Sequence, residues 1–211
     1  MPDKPIFVTG IGTGIGKTIV SAVLVEKLKA DYWKPVQSGD LDNSDTAKVK
    51  SLITNTTSVF HPEAYRLSQP FSPHKSAAID GITIDPQKFA LPATNNVLIV
   101  EGAGGLMVPL NNRFLMIDLI KQLNAEVVLV SQNYLGSINH TMLSIYALKQ
   151  EHIPMKGIIF NGAKDIYSEE FILEYSGLKL LGHIPEFDVI DKKAIIDAGN
   201  FIGECSVVRT Q

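Results

Sequence analysis

Cysteine occurs once in the chain, at position 205. No intrachain disulfide can form, so a disulfide-stapled exported domain is excluded, and a lone thiol near the end of a chain is given no role. Arginine is nearly as scarce, with only Arg66, Arg113 and Arg209, scattered along the sequence. The net charge is −3, which leaves no broad basic field for a nucleic-acid backbone or an anionic membrane. Any cations that hold phosphate must therefore be local and few. No apolar run reaches the 18 residues of a membrane span. The opening residues lack both a cationic and an apolar leader region, so cytoplasmic residence is expected. The five histidines show no metal-ligand spacing with one another or with cysteine, which disfavours zinc.

What is present is an alternating rhythm over 211 residues, enough for one α/β domain spanning positions 1–211. Ile6 to Thr9 reads as a strand, and Lys17 to Ala30 carries apolar residues at helical spacing. Strands are expected at Tyr32–Val36, Val97–Val100, Val127–Val130, Gly157–Phe160 and Lys179–Ile184. Between them, helices are expected after Asn43 or Ser44 and over 114–123, 138–151, 167–175 and 192–201. The stretch from Thr57 to Asn96 reads as irregular. Continuous apolar strands alternating with amphipathic helices predict a doubly wound, mostly parallel sheet with helices on both faces. Ligands then bind beyond the carboxyl ends of the strands.

Gly10-Ile-Gly-Thr13-Gly14-Ile15-Gly16-Lys17-Thr18 joins the first strand to the first helix. The glycines let backbone N–H groups approach phosphate, and the helix directs its positive end at the same anion. Lys17 can reach the outer phosphates and the Thr18 hydroxyl can ligate Mg²⁺. Five residues separate Gly10 from Gly16, one more than in the common phosphate loop. The alternative is a plain glycine-rich turn. G-K-[ST] arises by chance in such a chain about one time in ten, and the upstream glycine lowers this to roughly one in a hundred.

Three further residues fall at expected carboxyl ends. Lys34, before Pro35, either faces the ligand crevice or is a solvated strand-end lysine. Asp45 either binds metal or caps a helix. Glu101 follows four apolar strand residues and precedes Gly-Ala-Gly-Gly, the pattern of a second metal-binding carboxylate in a phosphate-loop enzyme. A lone structural acid there would be costly to bury. Gly136-Ser-Ile-Asn-His140 opens a helix whose free N–H groups could hold a carboxylate, while His140 itself reads as structural.

Taken with Tyr32-Trp-Lys-Pro-Val-Gln-Ser38-Gly39, Ser72-Pro-His74, Val100-Glu-Gly-Ala-Gly-Gly105 and Leu135-Gly-Ser-Ile-Asn-His140, these motifs resemble the dethiobiotin synthetases over nearly the whole chain. The resemblance implies a cytoplasmic homodimeric ligase of biotin biosynthesis that uses MgATP, CO₂ or bicarbonate, and 7,8-diaminopelargonic acid. It implies catalytic roles for Lys17 and Lys34, and metal contacts from Thr18, Asp45 and Glu101. Gly14, Ile15, Gly16, Lys17, Thr18, Ile19 and Gly104 would bind the nucleotide phosphates. Asn161, Gly162, Pro185, Glu186 and Phe187 would bind the base. Thr13, Lys34 and Ser38 would contact the diamine or its carbamate. Ser137, Ile138 and Asn139 of the partner subunit would receive its tail carboxylate. Many members have Asn-x-x-Pro where this chain has Asn161-Gly-Ala-Lys164.

Three other readings compete. ParA/MinD-like switch ATPases carry a lysine six residues before the phosphate-loop lysine, where this chain has Ile11. Small-molecule kinases bring several arginines to the phosphates. Amide-forming synthetases of the cobyrinate type need a glutamine-hydrolysing domain, for which 211 residues leave no room.

Overall fold

The computed structural model describes residues 4–203. Cys205 and Arg209 lie outside the described residues. In chain order the elements are β1 (Ile6–Gly10), α1 (Lys17–Leu28), β2 (Asp31–Trp33), β3 (Val36–Ser38), α2 (Asp45–Leu52), β4 (Phe60–His61), β5 (Tyr65–Leu67), α3 (Pro73–Ile79) and β6 (Leu98–Gly105). There follow β7 (Pro109–Asn111), β8 (Phe114–Leu115), α4 (Met116–Gln122), β9 (Glu126–Ser131), α5 (Ser137–Gln150), β10 (Met155–Asn161), α6 (Ile166–Ser176), β11 (Leu180–Ile184) and α7 (Lys192–Gly199).

Seven strands form one sheet in the order β11-β10-β9-β1-β6-β2-β4, and every neighbouring pair is parallel. The two-residue period of a strand sorts their side chains onto two faces. Phe7, Val100, Val127, Leu129, Ile158 and Phe160 enter one core layer, under α4, α5 and α6. Ile6, Val8, Ile99, Val128, Val130 and Ile159 enter the other, under α1 and α7. Both faces are covered, as the apolar strands require. Winding proceeds from β1 out to β4, returns to β6, then crosses to β9 and outward again, so it reverses about β1. That reversal leaves the crevice into which β1 delivers its loop.

The structure differs from the sequence reading in four places. The expected strand Tyr32–Val36 is two strands, because Pro35 has no N–H for a ladder and its carbonyl instead accepts from Tyr65 N. β3 then pairs with β5 outside the main sheet. β6 runs past Glu101 to Gly105, so the glycine segment expected as a loop is bulged strand, with Gly105 beside Gly10. Phe114 begins a short antiparallel hairpin with β7, and the helix starts two residues later. The segment read as irregular contains β4, β5 and α3, the last opened by Pro73 at its first position.

Candidate active site

The phosphate loop leaves β1 at Gly10 and enters α1 at Lys17. Gly16 is the N-cap, in the left-handed region at φ 93°, and no side chain caps the helix. A Cβ at Gly16 would meet the Asn161 amide at 2.2 Å, so only glycine lets the loop pass this close to β10. Asn161 Nδ2 donates to the Ile15 carbonyl at 3.2 Å and ties the loop to β10 from that side. Lys17 Nζ donates to the Gly12 carbonyl at 2.7 Å, folding its ammonium back over the loop.

Lys34 is the first residue beyond β2 and is 4% exposed, so the solvated alternative fails. Its Nζ lies 2.7 Å from Asp45 Oδ2 and 3.1 Å from Glu101 Oε1. Ser44, not Asp45, caps α2 by accepting from Ala47 N, which frees the Asp45 carboxylate for Lys34. Glu101 is 1% exposed and fully engaged. The Thr18 hydroxyl donates to Oε1 at 2.9 Å and Tyr32 OH donates to Oε2 at 2.9 Å. Thr18 is also within hydrogen-bonding reach of Asp45.

Sequence reasoning missed Tyr32 and Gln37. Tyr32 precedes Lys34 by two, so the strand period puts both on one face, which is a legible signal for the pair meeting at Glu101. Gln37 Oε1 accepts from Asp45 N at 3.2 Å and holds the start of α2 in place, a contact no local pattern announces.

The charges balance. Lys17 and Lys34 face Asp45 and Glu101 in one cluster. Burial pulls the Lys34 pKa down, but Glu101 and Asp45 and their hydrogen bonds outweigh it, and the net shift is upward. Burial likewise disfavours the Asp45 carboxylate, yet Lys34 holds its pKa below the usual range. Burial, then the Glu101 charge, pushes the Tyr32 phenol well above its ordinary value. Lys17 is different. Burial is its largest influence and Lys34 adds repulsion, so its pKa falls to about 8 despite the acids.

Lys17, Thr18, Lys34, Asp45 and Glu101 line a cavity of about 580 Å³, together with Thr13, Gly14, Gly16, Ser38 and Gly104. Ser38 Oγ is buried there and, among the described residues, has no partner. Thr13 also borders a second cavity of about 560 Å³, against Tyr134 and His140. His140 Nδ1 pairs with Tyr134 OH at 2.8 Å. A third cavity of about 390 Å³ is lined by Gly162, Lys164, His183, Pro185, Glu186 and Phe201. The predicted residues gather on the first and third cavities, except Ile15, Ile19, Asn161, Phe187, Ser137, Ile138 and Asn139. Ile15 and Ile19 point into the core and offer only backbone to a ligand, and Phe187 packs on the same core layer rather than lining the third cavity. Ser137 is buried, with its hydroxyl accepting from Tyr134 N, while Asn139 is exposed.

A parallel sheet whose central strand delivers a glycine loop, a lysine and a helix N-terminus defines a phosphate-loop nucleotide-binding protein. A family model described as an AAA domain matches residues 4–194. The chain is 50% identical over 192 residues to the ATP-dependent dethiobiotin synthetase BioD of Christiangramia forsetii, covering 91% of this chain and 92% of that one. It is 48% identical over 193 residues to the BioD of Cytophaga hutchinsonii, covering 91% and 93%. The chain belongs to the ATP-dependent dethiobiotin synthetase family of ligases. Among solved structures, a ParA family ATPase from Chlorobium tepidum superposes with TM-score 0.59 at 14% identity, over 94% of this chain and all of that one. The MinC:MinD complex of Aquifex aeolicus gives TM-score 0.60 at 14% identity, over 93% and 94%. At that identity the likeness shows the fold alone.

The depressed Lys17 pKa of about 8 has a measurable consequence. A bound polyphosphate favours the charged lysine, so affinity is flat while Lys17 is already protonated and falls once it is not. Tripolyphosphate binding without divalent metal, followed by calorimetry, should hold steady from about pH 7 to 7.5 and weaken above about pH 8, by up to tenfold per unit. Lys17→Met should bind weakly and lose this slope. An unchanged slope in the variant would refute the assignment.

Proposed function

We propose that this chain closes the cyclic urea of dethiobiotin from 7,8-diaminopelargonic acid, CO₂ and ATP. The observation that carries this reading is the pairing of two buried lysines over one cavity, beside an unpartnered Ser38 hydroxyl. Any step that joins two anions needs such a pair, because a carbamate and a terminal phosphate repel each other.

The chemistry proceeds in three steps. One amine nitrogen adds to the carbon of CO₂ and loses a proton, forming a carbamate. A carbamate oxygen attacks the terminal phosphorus, the bond to the bridging oxygen breaks, and ADP departs, leaving a carbamic–phosphoric anhydride. The second amine attacks the carbonyl carbon, loses its proton, and expels phosphate as the ring closes. Lys17, on the phosphate loop, neutralises the phosphoryl oxygens. Lys34, which lines the same cavity and shares Glu101 Oε1 with Thr18, neutralises the carbamate. Ser38 and Thr13 supply hydrogen bonds to the nitrogen or carbamate end.

Thr18, Asp45 and Glu101 offer a hydroxyl and two carboxylates, the hard oxygen donors that suit Mg²⁺. When bound there, the ion adds charge stabilisation on the phosphates. The third cavity would take the nucleobase, between Pro185 and the Gly162–Lys164 loop. Asn161 supports this less directly, since part of its amide serves the phosphate loop.

A second copy of the chain would complete the site. Leu135, Leu143, Tyr146, Tyr167, Phe171 and Tyr175 are large apolar side chains left exposed on and before the adjoining helices α5 and α6. A patch of that size and position is what a partner subunit covers. The uncapped start of α5, with Ser137, Ile138 and Asn139 of the partner subunit, would then receive the tail carboxylate of the diamine.

Phosphate release from ATP should rise at least tenfold when diamine and bicarbonate are both present, and no stimulation would sink the synthetase reading. Lys34→Ala should lower kcat by about 10²–10³-fold while leaving ATP affinity within a few-fold. Lost ATP affinity with normal turnover at saturation would contradict its role. Sedimentation equilibrium should give a dimer at micromolar concentration, and Tyr146→Asp should shift it toward monomer and raise KM for the diamine. A wild-type monomer with full activity would remove the two-subunit site.

A further inference from the structure

Glu169 is an acid with no role in the chemistry above, yet it is 5% exposed. It sits in the first turn of α6. A buried carboxylate is costly unless its oxygens are bonded, so its partners reveal what it holds. Glu169 Oε1 accepts from Asn133 Nδ2 at 2.7 Å and from Asp165 N at 3.2 Å. His183 Nδ1 lies 3.1 Å from the same oxygen and 3.2 Å from Oε2. Two of these partners reach onward. His183 Nε2 is 2.8 Å from the Gly162 carbonyl, and Asn133 Nδ2 donates to the Ala163 carbonyl at 2.9 Å.

Three successive points on the 162–165 loop, two carbonyls and one N–H, thus trace back to one carboxylate. The three come from separate elements: Asn133 follows β9, His183 lies in β11, and Asp165 caps α6. Gly162 itself adopts φ 101°, a conformation that needs holding once a loop contains it. With trans peptides throughout the described residues, anchoring the Gly162 and Ala163 carbonyls on Glu169's partners turns the Ala163 and Lys164 N–H groups the opposite way. Those two donors are then set for acceptor atoms on the edge of a flat heterocycle.

We propose that Glu169 is the positioning residue of the base-binding loop, acting through Asn133 and His183 to fix the backbone that reads the nucleobase. The inference rests on reading the third cavity as the base site. Glu169 touches neither nucleotide nor substrate. None of the partners named above lies on the phosphate loop itself, and of them Asn133 borders the second cavity with Gly12, Thr13 and Ile15.

The experiment compares ATP with tripolyphosphate, which engages the phosphate loop but has no base. Calorimetry with Mg²⁺ present would be run on Glu169→Gln and Ala163→Trp, with steady-state kinetics on Glu169→Gln. Glutamine keeps the shape but puts an N–H₂ against donors. Glu169→Gln should weaken ATP five- to twentyfold and raise its KM equally, with tripolyphosphate affinity, kcat and the diamine KM within about twofold. Ala163→Trp, which fills the cavity from the exposed loop, should weaken ATP at least tenfold and spare tripolyphosphate. Loss of ATP binding in Ala163→Trp but not in Glu169→Gln would overturn the positioning role and leave the base site standing. No effect of Ala163→Trp would overturn both. Equal weakening of both ligands in Glu169→Gln would mark a merely structural residue. Should Glu169→Gln fail to fold, Asn133→Ala removes one arm without altering the lining of the third cavity and should show the same split at about threefold; no split would also overturn the proposal.

Discussion

A lysine ammonium almost sealed from water organises the carboxyl end of this sheet. Removing an isolated charge from water costs several kcal/mol, so Lys34 can stay there only if the fold brings it acids. It brings two, from elements far apart in the chain: Asp45 from the start of α2 and Glu101 from the middle of β6. Each acid has its own support. Gln37 holds the backbone of Asp45, and Tyr32 and Thr18 bond Glu101. Remove Lys34 and two carboxylates lose their counterion. Remove either acid and the lysine loses half of its compensation. The loop, the strand end and α2 are thereby coupled into one unit, although no local sequence pattern joins them.

That coupling explains what could be read from the chain and what could not. The main strands were legible because β1, β6, β9 and β10 are apolar on both faces, and only a covered parallel sheet buries such runs. The phosphate loop was legible because its chemistry demands glycines, lysine and threonine at consecutive positions. Lys34 and Glu101 were legible as strand-end residues, but their contact was not, since 67 residues separate them. Asp45 was ambiguous for a related reason: Ser44 and Asp45 are both good caps, and only the tertiary pull of Lys34 decides between them. The region from Thr57 to Asn96 hid β4 and β5 because strands of two or three residues carry no measurable period. Glu169 was invisible because an acid in the first turn of a helix is ordinary, and its burial depends on Asn133 and His183 from two other elements.

Fold and chemistry separate cleanly here. ParA and MinD ATPases share the architecture at 14% identity, so the sheet and its loop say only that a nucleotide is held. What distinguishes this chain lies at the ends of the strands. Ile11 stands where those switches carry a lysine, and Lys34 places a second cation in the same cavity as Lys17.

The two lysines are prepared in opposite ways, and the difference suits their roles. Lys34 is stabilised as a cation by Asp45 and Glu101 before any ligand arrives, so it need not reorganise to meet a developing anion. Lys17 is buried without enough compensation, and its pKa sits near 8. Its charged form is less stable there than in water, and the charge of a bound polyphosphate offsets part of that cost. Binding of the nucleotide is favoured by the empty site's own electrostatics, while the charge needed for the later chemistry is already in place. With two cations against two carboxylates the resting cluster is neutral, so a polyphosphate leaves it strongly anionic unless another cation comes with it. The oxygens of Thr18, Asp45 and Glu101 stand where that cation would be held.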